Sequence, residues 1–206
     1  MKIGVLGSGK GSNFEAILKA IQDGRLQANI GVVISDVADA LILEKAKKAK
    51  IPAYYLAPGK YRTFLEPAVE AAYIQCLKEH DVEWVVLAGF MRVLKKKFFE
   101  AFPERVINIH PSLLPAFAGL EAWRQAWDAR APISGCTVHF VDEGIDTGPI
   151  ILQESVKITE CHSAEEVHQK IQEIEHRLYP KALKLLLEND FEIKNRKVLI
   201  RRRGTS

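Results

Sequence analysis

Two residues at the end of one apolar run have the types and spacing for acyl-transfer chemistry. In V-I-N-I-H-P-S-L-L-P, residues 106–115, Asn108 and His110 stand two apart, and side chains two apart on a strand share one face. Pro111 stops the run and holds His110 extended, which places the imidazole on the rim where α/β sheets bind ligands. An amide N–H beside an imidazole that can give a proton or a charge is what a developing oxyanion needs. A lone histidine is ordinarily a satisfied structural residue. Here the neighbouring Asn and the rim position favour function.

A third group comes from V-D-E-G-I-D-T-G-P-I, residues 141–150. Asp146 lies in a loop bounded by Gly and Pro, where a carboxylate can orient an imidazole and stabilise its cation. Asp142 and Glu143 are rival carboxylates in the same loop, and a plain turn-forming Asp is the competing reading.

The opening G-V-L-G-S-G-K-G-S-N, residues 4–13, resembles two phosphate motifs and completes neither. As a P-loop it has Gly11 where a hydroxyl should reach magnesium, and as a dinucleotide fingerprint it has Ser12 where the third glycine belongs. Asp36 follows the glycines by about 25 to 30 residues, later than the roughly 20 of a ribose-binding acid. In S-D-V-A-D-A it reads as a turn and helix cap. A strand, a glycine loop and a helix start still gather bare N–H groups that attract an anion. A single terminal phosphate fits best, against the alternative of a merely tight turn, and Lys10 reads as a solvent-facing bystander.

These groups need a scaffold, and its elements are readable. Short apolar runs over 2–6, 30–35, 53–56, 84–88 and 106–109 alternate with helical periods over 13–22, 39–50, 63–80 and 96–101, the pattern of βαβ units. Residues 135–141 and 150–158 add two strands, expected in antiparallel sense, around the turn Asp146-Thr147-Gly148-Pro149. Ser163-Ala-Glu-Glu166 is a capping box opening a helix to about Leu187. The expectation is an α/β, single-domain, Rossmann-like fold, with a mostly parallel sheet, helices on both faces and an antiparallel extension in the C-terminal half. The domain is set at 1–190, in halves 1–105 and 106–190, followed by a basic tail over 191–206.

Composition narrows the class. The chain has 206 residues, 48% hydrophobic and 27% charged, with a net charge of +3, and no apolar run approaches the roughly 18 residues of a membrane span. Lys95-Lys96-Lys97 and Arg201-Arg202-Arg203 read as solvated clusters, so neither nucleic acid nor membrane is expected as a partner. Cys76, Cys136 and Cys161 fit no disulfide framework or zinc site, and His80, His110, His139, His162, His168 and His176 show no metal-ligand spacing. The run from Met1 leads straight into a strand pattern. A cytoplasmic protein without a leader and without a bound metal is expected.

The chain resembles the phosphoribosylglycinamide formyltransferase family. The resemblance rests on N-I-H-P-S-L-L-P, D-E-G-I-D-T-G-P-I-I-L-Q, the opening G-x-G-S-N, V-V-L-A-G-F-M-R-V-L over 85–94 and Q-E-I-E-H-R-L-Y-P over 172–180. It spans nearly the whole chain. It implies formyl transfer from 10-formyltetrahydrofolate to the amino group of glycinamide ribonucleotide, in purine biosynthesis, by a monomer or homodimer. Asn108, His110 and Asp146 would form the catalytic trio. Gly11, Ser12, Asn13, Phe14 and Glu15 would hold the monophosphate, with Gln172 and Glu175 facing the ribose and glycinamide. On the folate side the resemblance implies Met91, Arg92, Val93 and Leu94, Asn108, and Val141, Asp142, Glu143, Gly144 and Asp146, with Arg62 as the folate-side arginine.

Three features depart from that family. Asp36 stands where Asn is frequent, Ala118 replaces a common proline and so removes a φ restraint, and K-V-L-I-R-R-R-G-T-S matches nothing assigned. Methionyl-tRNA formyltransferase and formyltetrahydrofolate deformylase resemble the same core but carry additional domains, which this sequence does not lead one to expect. A non-catalytic nucleotide-binding module would account for the glycine loop, and it would leave the Asn108 and His110 pairing unexplained.

Overall fold

The structure, a computed structural model, describes residues 1–203. Contacts divide the chain into two compact units, Met1–Asn108 and a second from Ile109 onward. The fold is α/β, with parallel strands through the first unit and antiparallel strands in the C-terminal half.

The first unit runs β1 (Lys2–Leu6), α1 (Ser12–Gln22), β2 (Asn29–Ser35), α2 (Leu41–Lys48), β3 (Ala53–Tyr55), α3 (Pro67–Glu79), β4 (Trp84–Leu87), α4 (Lys96–Ala101) and the start of β5 (Val106–His110). Its strands lie in the order β3-β2-β1-β4-β5, all parallel. β4 is apolar and buried at every position, as a strand covered on both faces requires. On α1 the buried residues are Phe14, Ile17 and Ala20, a single stripe at helical spacing. The chain leaves β1 toward β2 and β3, then returns to β4 on the other side of β1. Such a reversal opens a crevice at the C-terminal ends of the two strands, where open α/β sheets bind ligands.

α3 starts at Pro67 rather than at residue 63. Proline suits the first helical position, and the residues before it are otherwise engaged: Phe64 bridges to Val93 in parallel, and the Val93 N–H donates to the Thr63 carbonyl at 2.8 Å.

In the second unit, α5 (Ala122–Asp128), β6 (Ile133–Phe140), β7 (Ile150–Lys157) and α6 (Ala164–Glu188) follow the last two residues of β5. β6 and β7 pair antiparallel from Ile133↔Lys157 to His139↔Ile150, with an irregularity between Val138 and His139 where β6 approaches the 141–149 loop. α6 packs against both strands and α5. Its capping box forms, the Ser163 hydroxyl accepting the Glu166 N–H at 3.1 Å. The Glu166 carboxylate reaches one residue further back than the motif describes, to the His162 N–H at 2.7 Å.

Within the segment expected to be a basic tail, the described residues form a hairpin. β8 (Asn189–Lys194) and β9 (Lys197–Arg202) form an antiparallel hairpin, and Glu192 and Asp190 each lie 2.9 Å from a guanidinium, of Arg201 and Arg203 respectively. Gly204, Thr205 and Ser206 of that tail lie outside the described residues.

Candidate active site

β5 carries Asn108 and His110 at its C-terminal end, as expected. His110 is buried, and both imidazole nitrogens face acceptors. Nε2 is 2.9 Å from the Phe117 carbonyl, and Nδ1 is 3.3 Å from Oδ2 of Asp146. The imidazolium, with two N–H groups, satisfies both. Of the three carboxylates in the loop, Asp146 is therefore the one that meets His110. Its backbone is left-handed at φ 53°, a conformation Asp tolerates better than most residues, and Oδ2 also accepts the Gly119 N–H at 2.8 Å.

Asp142 organises the loop instead. Its Oδ1 accepts the Thr147 hydroxyl at 2.5 Å and the Gly144 N–H at 3.1 Å, while Glu143 and Gly144 are exposed and Val141 is half-buried. A Cβ on Gly144 would fall 2.1 Å from Oγ1 of Thr147, so this tight turn needs glycine.

Several residues around the imidazole have no counterpart in the sequence reading. Phe117, at φ 54°, aims its carbonyl at His110, and Gln125 donates to the carbonyls of Ala118 and Leu120 at 3.2 and 2.9 Å. The turn after His110 is held by Thr137, whose hydroxyl donates to the Ser112 carbonyl at 2.7 Å and accepts the Leu114 N–H at 3.1 Å. Gln153 donates to the Leu114 carbonyl at 2.8 Å. His139 is buried, with Nε2 3.7 Å from Oδ1 of Asp146. Burial holds its pKa below the ordinary value; the bond to the Phe140 carbonyl and the Asp146 charge oppose that. Thr137 and His139 did leave a signal: both are polar on a strand buried along nearly all its length, and buried polar groups are the informative exceptions.

In the first unit the glycine loop joins β1 to α1. Gly11 is left-handed at φ 72° and precedes α1 without a side-chain cap. The Glu15 N–H makes the first bond of the helix, to the Gly11 carbonyl at 3.0 Å. This leaves the N–H groups of Ser12, Asn13 and Phe14 ahead of that bond, in the first turn that attracts anions. The Glu15 carboxylate pairs with Lys45 at 2.7 Å, an engagement that ties α1 to α2. Lys10 is exposed.

Asp36 is not the helix cap expected of it. α2 begins after Ala40 with no side-chain cap, and Ser35 makes the turn, its hydroxyl accepting the Val37 N–H at 3.1 Å. Asp36 is buried, accepting the Ser8 hydroxyl at 2.5 Å and the Arg92 Nε–H at 2.7 Å.

The expected folate-side segment is adjacent to this network. Met91 is exposed and Leu94 buried; the Met91 N–H donates to the Ser8 hydroxyl at 2.9 Å. The Val93 N–H is the one bonded to Thr63. Arg92 also donates to the carbonyls of Tyr61 and Arg62, so Arg62 does lie beside this segment. Gln172 and Glu175 stand one turn apart on α6, half-buried and buried. Among the described residues no group of three or more His, Cys, Asp or Glu side chains is arranged to hold a metal, and no helix is long and apolar enough to cross a membrane.

A parallel α/β sheet with a glycine loop after its first strand, and an Asn-x-His strand end backed by a carboxylate, defines a class of group-transfer enzymes. The chain belongs to it: residues 1–183 match the formyl transferase family. Within that family it is 41% identical over 186 residues to phosphoribosylglycinamide formyltransferase of Bacillus subtilis (strain 168), covering 90% of this chain and 94% of that one. The corresponding enzyme of Haemophilus influenzae is 40% identical over 194 residues, 94% of this chain and 91% of the relative. A crystal structure of glycinamide ribonucleotide transformylase 1 from Symbiobacterium toebii superposes with a TM-score of 0.92 at 46% identity, over 97% of this chain and 93% of that one.

Proposed function

We propose that this enzyme transfers the formyl group of 10-formyltetrahydrofolate to the amino group of glycinamide ribonucleotide. The observation that carries the reading is the His110 imidazole, at the end of β5 two residues after Asn108, backed by the Asp146 carboxylate at 3.3 Å. The family supplies the formyl chemistry, and the close relatives' names supply the acceptor.

The neutral amine attacks the formyl carbon and forms the new C–N bond. The carbonyl oxygen becomes an oxyanion that the Asn108 amide and protonated His110 stabilise. Collapse breaks the bond to the folate nitrogen, which leaves with a proton while the attacking amine loses one. Asp146 keeps the imidazole oriented from its Nδ1 side. Nε2 is bonded to the Phe117 carbonyl in this structure, so donation to substrate exchanges that carbonyl for the reacting oxygen or nitrogen.

The reading assigns the phosphate to Gly11, Ser12, Asn13, Phe14 and Glu15, with the first-turn N–H groups as donors. Gln172 and Glu175 are assigned to the ribose and glycinamide. On the folate side, the N–H groups of Met91 and Val93 are already bonded within the fold, so the carbonyls of Met91, Arg92 and Val93 are its assigned partners; Arg62, Leu94, Val141, Asp142, Glu143, Gly144 and Asp146 are assigned to the folate as well.

One assay tests this. The protein is mixed with formyltetrahydrofolate and glycinamide ribonucleotide, and the ribonucleotide is expected to gain a formyl mass as tetrahydrofolate appears. Formate released without the ribonucleotide would make it a hydrolase, formylation of charged tRNA would make it a tRNA enzyme, and binding of NAD or ATP without formyl transfer would make it a nucleotide-binding module.

A further inference from the structure

The first unit contains one buried carboxylate whose contacts join four separate loops. Asp36 follows β2, and its side chain is 1% exposed. One oxygen takes the hydroxyl of Ser8, in the glycine loop after β1; the other takes Nε of Arg92, in the segment after β4. The same guanidinium, 17% exposed, reaches the carbonyls of Tyr61 and Arg62 in the loop after β3. Ser8 closes the circuit, because its hydroxyl oxygen accepts the Met91 N–H and its own N–H donates to the Gly89 carbonyl at 3.0 Å.

A buried carboxylate needs its partners, since desolvation leaves it costly when unpaired. Here the partners are the side chains of Ser8 and Arg92, which are bonded in turn to the backbone of the neighbouring loops. Charge-assisted bonds of this kind are the short, geometrically strict ones. They fix loops that would otherwise sample several conformations.

We infer that Asp36 is a positioning residue that, through Ser8 and Arg92, sets the glycine loop and the 91–94 segment relative to one another, so that one carboxylate governs affinity for both substrates. This rests on the proposed function, in which the glycine loop takes the ribonucleotide's phosphate and 91–94 the folate. Asp36 touches neither substrate. An isolated loop defect would weaken one substrate; a defect in Asp36 weakens both.

The test compares Asp36→Asn, Ser8→Ala and the double variant by steady-state kinetics, with each substrate varied in turn. Asp36→Asn keeps the shape and removes the charge opposite Arg92. Ser8→Ala cuts the glycine-loop link and leaves the ion pair, at a half-buried position that keeps the variant foldable. KM for the ribonucleotide and KM for the folate are each expected to rise about 5- to 20-fold in Asp36→Asn, with kcat within about threefold of wild type, as for a loss of ground-state and transition-state binding alike. Ser8→Ala is expected to raise both in the same direction. The double variant is expected to be no worse than Asp36→Asn, because residues of one network are non-additive. A purely structural role would lower the melting temperature and the active fraction and leave both KM values at wild type, and that result overturns the inference. So does a rise in one KM alone. Failure of the underlying reading is separate: wild-type protein would then not formylate the ribonucleotide at all.

Discussion

Nδ1 of His110 lies 3.3 Å from Oδ2 of Asp146, and the same oxygen holds the Gly119 N–H at 2.8 Å. The carboxylate therefore does two things at once. It fixes the imidazole's orientation from one side, and it anchors the loop whose Phe117 carbonyl contacts the imidazole from the other. Asp146→Asn preserves the shape and removes the carboxylate that faces Nδ1 of His110, so kcat is expected to fall by about 10²-fold, in the range of general acid–base contributions. A kcat at the wild-type value would leave Asp146 only a turn residue.

For the two residues on β5 the expectation is larger. Loss of one oxyanion donor costs on the order of 10² to 10³ in rate. Asn108→Ala and His110→Ala are each expected to lose at least that much in kcat with a melting temperature near wild type. Turnover near normal in either folded variant removes the trio.

Why Asn108 and His110 were placed on their strand end and their surroundings were not has a physical explanation. Asn108, His110 and Pro111 fall within four residues of one strand and its stop, so local rules locate them; β1 and α4 were legible over their full length for the same reason. Asp36 was misjudged because its partners, Ser8 and Arg92, are distant in sequence and meet it only once the strands are ordered. α5 was missed because it is short and follows Glu121, left-handed at φ 52° and without a side-chain cap bond. The hairpin after α6 was read as a tail because its turn is Asn195-Arg196, both at positive φ, where Asn-Gly is the usual signal. The alternation of Phe191 and Ile193 against Val198 and Ile200 was present and was masked by the arginines around it.

The glycine loop separates backbone need from ligand need. Gly11 is at φ 72°, and a Cβ there would sit 2.8 Å from the Ile42 side chain. Gly11→Ala is expected to lower stability by about 1–2 kcal/mol from the left-handed backbone alone, read as a lower denaturant midpoint. A Cβ on Gly9 meets nothing within 4 Å. Gly9→Ala is expected to keep the wild-type midpoint and to raise KM for the ribonucleotide, because a ligand phosphate would occupy that open side. An unchanged KM in Gly9→Ala would put the phosphate elsewhere than over this loop.

His139 gives the fold a weakness on the acid side. Burial holds its folded-state pKa below the ordinary value of 6.5, so in the unfolded chain it takes up a proton at a higher pH than in the fold. Above about pH 6.5 the group is neutral in both states and contributes nothing to pH dependence. As pH falls below that value the unfolded state binds the extra proton first, and stability declines until the folded-state value is passed. The wild-type urea midpoint is therefore expected to drop between pH 7.5 and pH 5, and His139→Gln, whatever its midpoint at pH 7.5, is expected to drop by less. The comparison cancels the titrating groups that do not interact with His139; Asp146, His110 and Asp142 do interact with it. Identical drops in both would mean that His139 is charged as readily in the fold as out of it, and that the Asp146 carboxylate, 3.7 Å away, outweighs burial.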